Sequence, residues 1–164
     1  MDNRSKESRS KNMSRIPSKN TKPEETVRKY LFNQGFRYRK NVSSLPGKPD
    51  IVLPKYKTVV FVNGCFWHGH PRCRYFVIPK TNTTFWKNKI ERNRQRDIEE
   101  QRQLAAMGWH CITIWECQLK PAVRQQTLES LALTLHRIFL QDHGMKHYDI
   151  PEEEFPMAAE PDAM

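Results

Sequence analysis

Residues 50–63 read Asp-Ile-Val-Leu-Pro-Lys-Tyr-Lys-Thr-Val-Val-Phe-Val-Asn. Two apolar, β-branched runs, Asp50–Leu53 and Thr58–Val62, flank a Pro-led turn at 54–57, the pattern of a β-hairpin. A four-residue turn there pairs Leu53 with Thr58, Val52 with Val59, Ile51 with Val60, and sets Asp50 beside Phe61. Directly opposed Cβ atoms sit ~5 Å apart. Asp50 therefore stands at the mouth of a sheet, where the second strand runs into Asn63 and a loop dense in Cys and His. A carboxylate so placed suits a hard divalent cation. It also suits a turn Asp that follows Pro49 and braces its own loop.

Working outward, Thr21-Lys22-Pro23-Glu24 opens a helix, with Thr21 as cap and Pro23 in the first turn. Val27, Tyr30, Leu31 and Gln34 share a face, and Gly35 ends it. Glu24 falls where a capping box places its acid; Glu25 is a solvated first-turn acid. Phe36–Lys40 alternates apolar and basic residues, as a strand does. Thr84–Met107 reads as a long polar helix closed by Gly108, Trp109–Trp115 as a strand, and Ala122–Leu140 as an amphipathic helix with Leu128, Leu131, Leu135 and Phe139 on one side. This order predicts a small α/β domain with a mixed central sheet flanked by helices.

The 164 residues suffice for one domain, and 37% of them are apolar. Apolar runs such as Val59–Val62 are far shorter than the ~20 residues a membrane span needs. No charged-then-apolar leader opens the chain, so an intracellular, reducing setting is expected, where cysteines read better as metal ligands than as disulfides. Charge is segregated. Residues 1–96 hold 23 Lys+Arg and 6 Asp+Glu, a net +17, and residues 97–164 hold 5 and 12, a net −7. The natural counter-charge for the basic part is a phosphate backbone. The expected organisation is a basic N-terminal arm over 1–20, a folded domain over 21–145, and an acidic, Pro-punctuated tail over 146–164 whose composition favours disorder.

Cys65, His68, His70 and Cys73 fall within nine positions, and Cys111 and Cys117 lie further on. Tetrahedral zinc takes thiolate and imidazole ligands, four to a closed structural site. Cys111, in phase with Trp109, Thr113 and Trp115 on its strand, reads as a core residue, which leaves five possible ligands: Cys65, His68, His70, Cys73 and Cys117. A histidine left over from a four-ligand site is free for proton transfer. Phe66-Trp67 on the loop and Phe85-Trp86 at the next helix start have two readings, core or wedges that enter a base stack. Lys80, Lys87, Lys89, Arg92, Arg94 and Arg96 around them point toward DNA.

Taken together, Ser10-Lys11-Asn12-Met13, Leu45-Pro46-Gly47-Lys48-Pro49-Asp50, Asn63-Gly64-Cys65-Phe66-Trp67-His68, Phe85-Trp86 and Trp115-Glu116-Cys117 closely resemble the very short patch repair (Vsr) DNA mismatch endonucleases, over about residues 9–120. The resemblance implies a type II restriction endonuclease-like core with a structural zinc site. It implies a Mg²⁺-dependent nick in double-stranded DNA, 5′ of the thymine in T:G mismatches left by 5-methylcytosine deamination. By that resemblance, Asp50 binds Mg²⁺ with the Val62 backbone carbonyl, His68 is the acid/base residue, and Glu24 supports the site. Cys65, His70, Cys73 and Cys117 hold Zn²⁺; Phe66, Trp67 and Trp86 wedge into DNA, with Met13 entering from the other groove; Lys89 and Asn93 lie near the mismatched pair. Asn63 departs from the family pattern, which often has a second His there. Asn can orient a water or a phosphate oxygen but cannot shuttle a proton. The resemblance further implies a monomer in the bacterial cytoplasm, with mismatch-repair proteins and a polymerase downstream. The competing expectation is a zinc-stabilised mismatch DNA-binding module without catalysis.

Overall fold

The computed structural model describes residues 20–144. Helix α1 spans Lys22–Asn33, strand β1 Arg39–Lys40, β2 Ile51–Leu53 and β3 Thr58–Asn63. Helix α2 spans Thr83–Ala106, strand β4 His110–Trp115, and helix α3 Arg124–Asp142. Short 3₁₀ turns at Pro54–Tyr56 and Glu116–Leu119 follow β2 and β4. Met13 and most of the expected arm and tail lie outside the described residues.

The sheet has the order β1-β2-β3-β4. The hairpin has the expected register, Ile51 opposite Val60, Val52 opposite Val59 and Leu53 opposite Thr58. Its turn closes on Lys57 in the left-handed region at φ 49°. β1 also pairs antiparallel with β2, whereas β4 pairs parallel with β3 over six positions, from Thr58–His110 to Asn63–Trp115. Helix α2 makes the crossover that a parallel pair requires.

Both sheet faces are covered, so the central strands are apolar at successive positions. Ile51, Leu53, Val60 and Ile114 pack with Val27 and Leu31 of α1 and Leu128, Leu131 and Leu135 of α3. Val52, Val59 and Phe61 face the other way, against Leu104 of α2, with Trp109 and Cys111 alongside. Cys111 is thus a core residue, as its strand phase predicts.

The helix limits differ from expectation by one or two residues. Gln34 lies past the last turn of α1, and α3 starts at Arg124 because Val123 still belongs to the incoming turn. The expected strand 36–40 shortens to Arg39–Lys40, because Phe36 turns into the core under α1 instead of pairing.

Leu31 is fully buried between α1, α3 and the sheet. Leu31→Ala is expected to cost about 2–5 kcal/mol, read as a lower urea midpoint at unchanged slope.

Candidate active site

A cleft of about 1200 Å³ opens at the end of β3. Glu24, Asp50, Val62, Asn63, His68, Asp97, Glu100 and Glu116 line it, with Lys22, Lys48, Arg96 and Trp67 at its walls. β2 begins at Ile51, so it has no residue left to pair with Val62. Instead the Val62 N–H donates to Asp50 Oδ2 at 2.7 Å. The aspartate therefore braces the neighbouring strand rather than its own loop. Burial pushes the Asp50 carboxyl from 3.8 up to about 7; the Val62 bond opposes this, and the charge of Glu24 adds to it.

Glu24 is 2% exposed on the first turn of α1. Its N–H donates to Thr21 Oγ1 at 3.4 Å, and its Oε2 accepts the Asn20 N–H at 2.7 Å and Arg28 Nη1 at 3.3 Å. The expected capping box is present with its return bond moved one residue upstream, to Asn20. The same carboxylate thus ends the helix and faces Asp50. A buried and a half-buried carboxylate side by side, beside a strand end, form a set of hard oxygen donors that suits Mg²⁺. Val62 fits as a further donor, because N–H and C=O of one strand residue face the same side.

Beyond Asn63 the chain enters the Cys/His loop. Cys65, His70, Cys73 and Cys117 bring their ligand atoms within 4.8 Å of one another. Zn–S bonds of ~2.3 Å in a tetrahedron put sulfurs about 3.8 Å apart, so this set fits zinc. The Cys117 N–H donates to Cys65 Sγ at 3.4 Å, and Cys117 Sγ lies 3.5 Å from His70 Nδ1. The His70 ring stacks on Trp115 at 4.0 Å. Burial pushes the Cys65 thiol up to about 12 and raises Cys117, so a cation must displace their protons to bind.

His68 is the histidine outside that cluster. Its Nδ1 lies 2.6 Å from Asp97 Oδ2, which leaves Nε2 for the cleft. Asp97 was not singled out from the sequence, though a signal existed: it lies in register with Ile90, Arg94, Gln101 and Leu104, the face of α2 turned inward. Glu100, on the adjoining edge of α2, was also missed; burial raises its carboxyl. It packs on Gly47, where φ is +77° and an added Cβ would lie 2.9 Å from Glu100 Oε2, so the Pro46–Lys48 turn closes over the helix only with glycine there.

The aromatic residues form one surface cluster. Phe66 lies 5.2 Å from Trp67 and 5.4 Å from Trp86, and Trp67 lies 5.9 Å from Trp86. None of the three belongs to either core cluster, and all are half-buried, so the core reading fails for them. Phe85 extends the group and is 51% exposed. Lys89 Nζ stands 5.6 Å from the Trp67 ring centre. Asn93 donates to the Trp67 carbonyl at 2.8 Å, and Arg94 bonds the Gly69 carbonyl, so both brace the loop.

Residues 1–74 match the model of a protein family described as DNA mismatch endonuclease Vsr. The type II nicking enzyme V.NmeAIP of Neisseria meningitidis is 58% identical over 108 residues, 66% of this chain and 76% of that protein. The type II nicking enzyme V.XorIIP of Xanthomonas oryzae is 48% identical over 107 residues, 65% of this chain and 78% of that protein. The DNA mismatch endonuclease Vsr of Escherichia coli is 42% identical over 115 residues, covering 70% of this chain and 73% of that protein. With relatives of this identity, each covered over about three quarters of its length, the chain belongs to the Vsr family of DNA mismatch endonucleases.

Proposed function

We propose that this protein is a DNA mismatch endonuclease that nicks double-stranded DNA 5′ of the thymine in T:G mismatches arising from 5-methylcytosine deamination, by Mg²⁺-dependent phosphodiester hydrolysis. The observation that carries the reading is one cleft shared by the Asp50–Glu24 carboxylates and the His68–Asp97 pair, beside the aromatic surface. The relatives' names, mismatch endonuclease and nicking enzyme, supply the reaction class. The four-stranded mixed sheet with helices on both faces is compatible with a type II restriction endonuclease-like core.

In this reading Asp50 and the Val62 carbonyl hold Mg²⁺, which supplies Lewis acidity toward the scissile phosphate. Glu24, buried beside Asp50, orients a water of the site. His68 Nε2 exchanges a proton with the reacting oxygen while Asp97 fixes the orientation of the ring. Asn63 orients a water or a phosphate oxygen through its amide and carries no proton. Phe66, Trp67 and Trp86 wedge into the duplex beside the mismatch, and Met13 enters from the other groove. Lys89 and Asn93 lie near the mismatched pair. Cys65, His70, Cys73 and Cys117 hold structural Zn²⁺ that stiffens the wedge loop. The chain works as a monomer in the cytoplasm: arm 1–20, endonuclease domain 21–145 and tail 146–164, followed in repair by mismatch-repair proteins and a polymerase. Among the described residues, no helix is long and apolar enough to cross a membrane.

Asp50→Asn is expected to abolish Mg²⁺-dependent nicking of a T:G duplex, read on a denaturing gel, while gel-shift binding persists. Nicking at the wild-type rate removes Asp50 from the mechanism. Binding without cleavage by the wild-type protein, across T:G duplexes of varied flanking sequence, would favour the non-catalytic zinc-stabilised module that a non-titrating Asn63 makes conceivable.

The raised Asp50 pKa sets a pH dependence. The folded state holds this proton more tightly than the unfolded chain, so the group's contribution to stability is present below pH 3.8 and is lost as pH rises through about 7. Mg²⁺ competes with that proton. Its gain in thermal midpoint is expected to be larger at pH 8 than at pH 5.5 and absent in Asp50→Asn. An equal gain at both pH values would count against the site.

Chelation of zinc is expected to lower the thermal midpoint and the nicking rate together. Cys73→Ala loses the metal, whereas Cys111→Ala keeps it, as metal analysis of the purified variants reads directly.

A further inference from the structure

Three successive loop residues are each held by a side chain from one turn of α2. Asn93 Nδ2 donates to the Trp67 carbonyl at 2.8 Å, and Asp97 takes His68 Nδ1 at 2.6 Å. Between them, Arg94 donates to the Gly69 carbonyl through Nε at 3.0 Å and Nη2 at 2.7 Å. Gly69 is buried with φ at +61°, and a Cβ there would lie 2.5 Å from Arg94 Nε and 2.6 Å from Ile90 Cγ2. Only glycine lets the guanidinium approach so closely in that backbone conformation. The Arg94 Cζ also stands 5.1 Å from the Phe76 ring centre, on the segment that leaves Cys73. One side chain therefore joins α2, the loop and the chain beyond the Cys/His cluster.

We propose that Arg94 is a positioning residue: its two-pronged grip on the Gly69 carbonyl holds the loop so that the His68 imidazole and the Trp67 ring keep one setting as DNA enters. The inference rests on the reading of His68 as the proton-transfer residue. A forked, permanently charged donor suits this work, since two N–H groups converging on one carbonyl oxygen fix direction as well as distance. The rival role for a basic residue here is a phosphate contact. The geometry disfavours it, because Nε and Nη2 are engaged by Gly69, and Nη1 lies 3.7 Å from Glu91 Oε2.

The test uses the full-length, zinc-loaded protein and compares wild type, Arg94→Met, Arg94→Lys and His68→Ala on a T:G duplex. Arg94→Met keeps the length of the stem and removes every donor. It is expected to lower kcat about 10- to 100-fold, the cost of a misplacement near 1 Å. KM and the slope of log affinity against log salt stay unchanged, and Arg94→Lys, which keeps the charge but loses the fork, recovers only part of the rate. A wild-type kcat in Arg94→Met overturns the proposal. So does a loss confined to KM with the salt slope reduced by about 1, the signature of a phosphate contact. If Arg94→Met fails to retain zinc, Arg94→Lys decides: a reduced kcat at unchanged KM supports the grip, and an unchanged kcat overturns it. Full nicking by His68→Ala overturns the grip and the underlying reading together. Lost nicking in His68→Ala with full nicking in Arg94→Met overturns the grip alone.

Discussion

The parallel ladder between β3 and β4 is the constraint on which the site depends. Its last pair sets Asn63 opposite Trp115, so both strands leave the sheet at the same edge. β3 runs on into the loop carrying Cys65, His68, His70 and Cys73, and β4 runs into the turn carrying Cys117. Ligands 52 positions apart in the chain thereby meet, with the Cys117 N–H already bonded to Cys65 Sγ. A slip of one residue in this ladder would turn Val60 and Ile114 off one core and Val59 off the other. The hydrophobic cores therefore enforce the register, and the register assembles the Cys₃His cluster.

The cleft is built at a cost in local stability. Asp50 stands half-buried beside the buried Glu24, and desolvation with like charge holds the Asp50 proton to about pH 7. Helix α2 spends its inward face in the same way. Only Ile90 and Leu104 are fully buried on its 24 residues. Between them lie Arg94, Asp97 and Gln101, which hold the loop, the imidazole and Thr113 of β4. A helix built for stability alone would bury aliphatic residues there. Such a polar stripe lines the wall of a cleft and positions its contents.

The loop between β3 and α2 gains its shape from both sides. The Cys/His cluster gathers one end, and side chains of α2 take the carbonyls of Trp67 and Gly69 at the other. Held this way, Phe66 and Trp67 stay half-exposed against Trp86 instead of collapsing into either core.

Local patterns made much of this legible in advance. Alternation and the Pro-led turn in residues 50–63 dictate the hairpin register, because side chains in a strand alternate faces and the turn length sets the pairing. Thr21, Pro23 and the glycines after α1 and α2 mark helix ends for reasons confined to a few neighbouring residues. The phase of Cys111 separated it from the other thiols. Helical phase sets Asp97 on the inward face of α2, but its pairing with His68, 29 positions away, depends on the tertiary fold. The role of Arg94 was not legible, since its charge suggested DNA until its donors were seen on Gly69. The sequence by itself determined the elements, their order and the residue types able to do chemistry, because those follow from periodicity and neighbouring sterics. Spacing alone left open which histidine stands apart from the thiolates, which acids face each other and which aromatics stay outside the core; the resemblance implied an answer, and tertiary structure supplies its geometry. Those outcomes depend on burial and on contacts between distant segments, which no local pattern encodes.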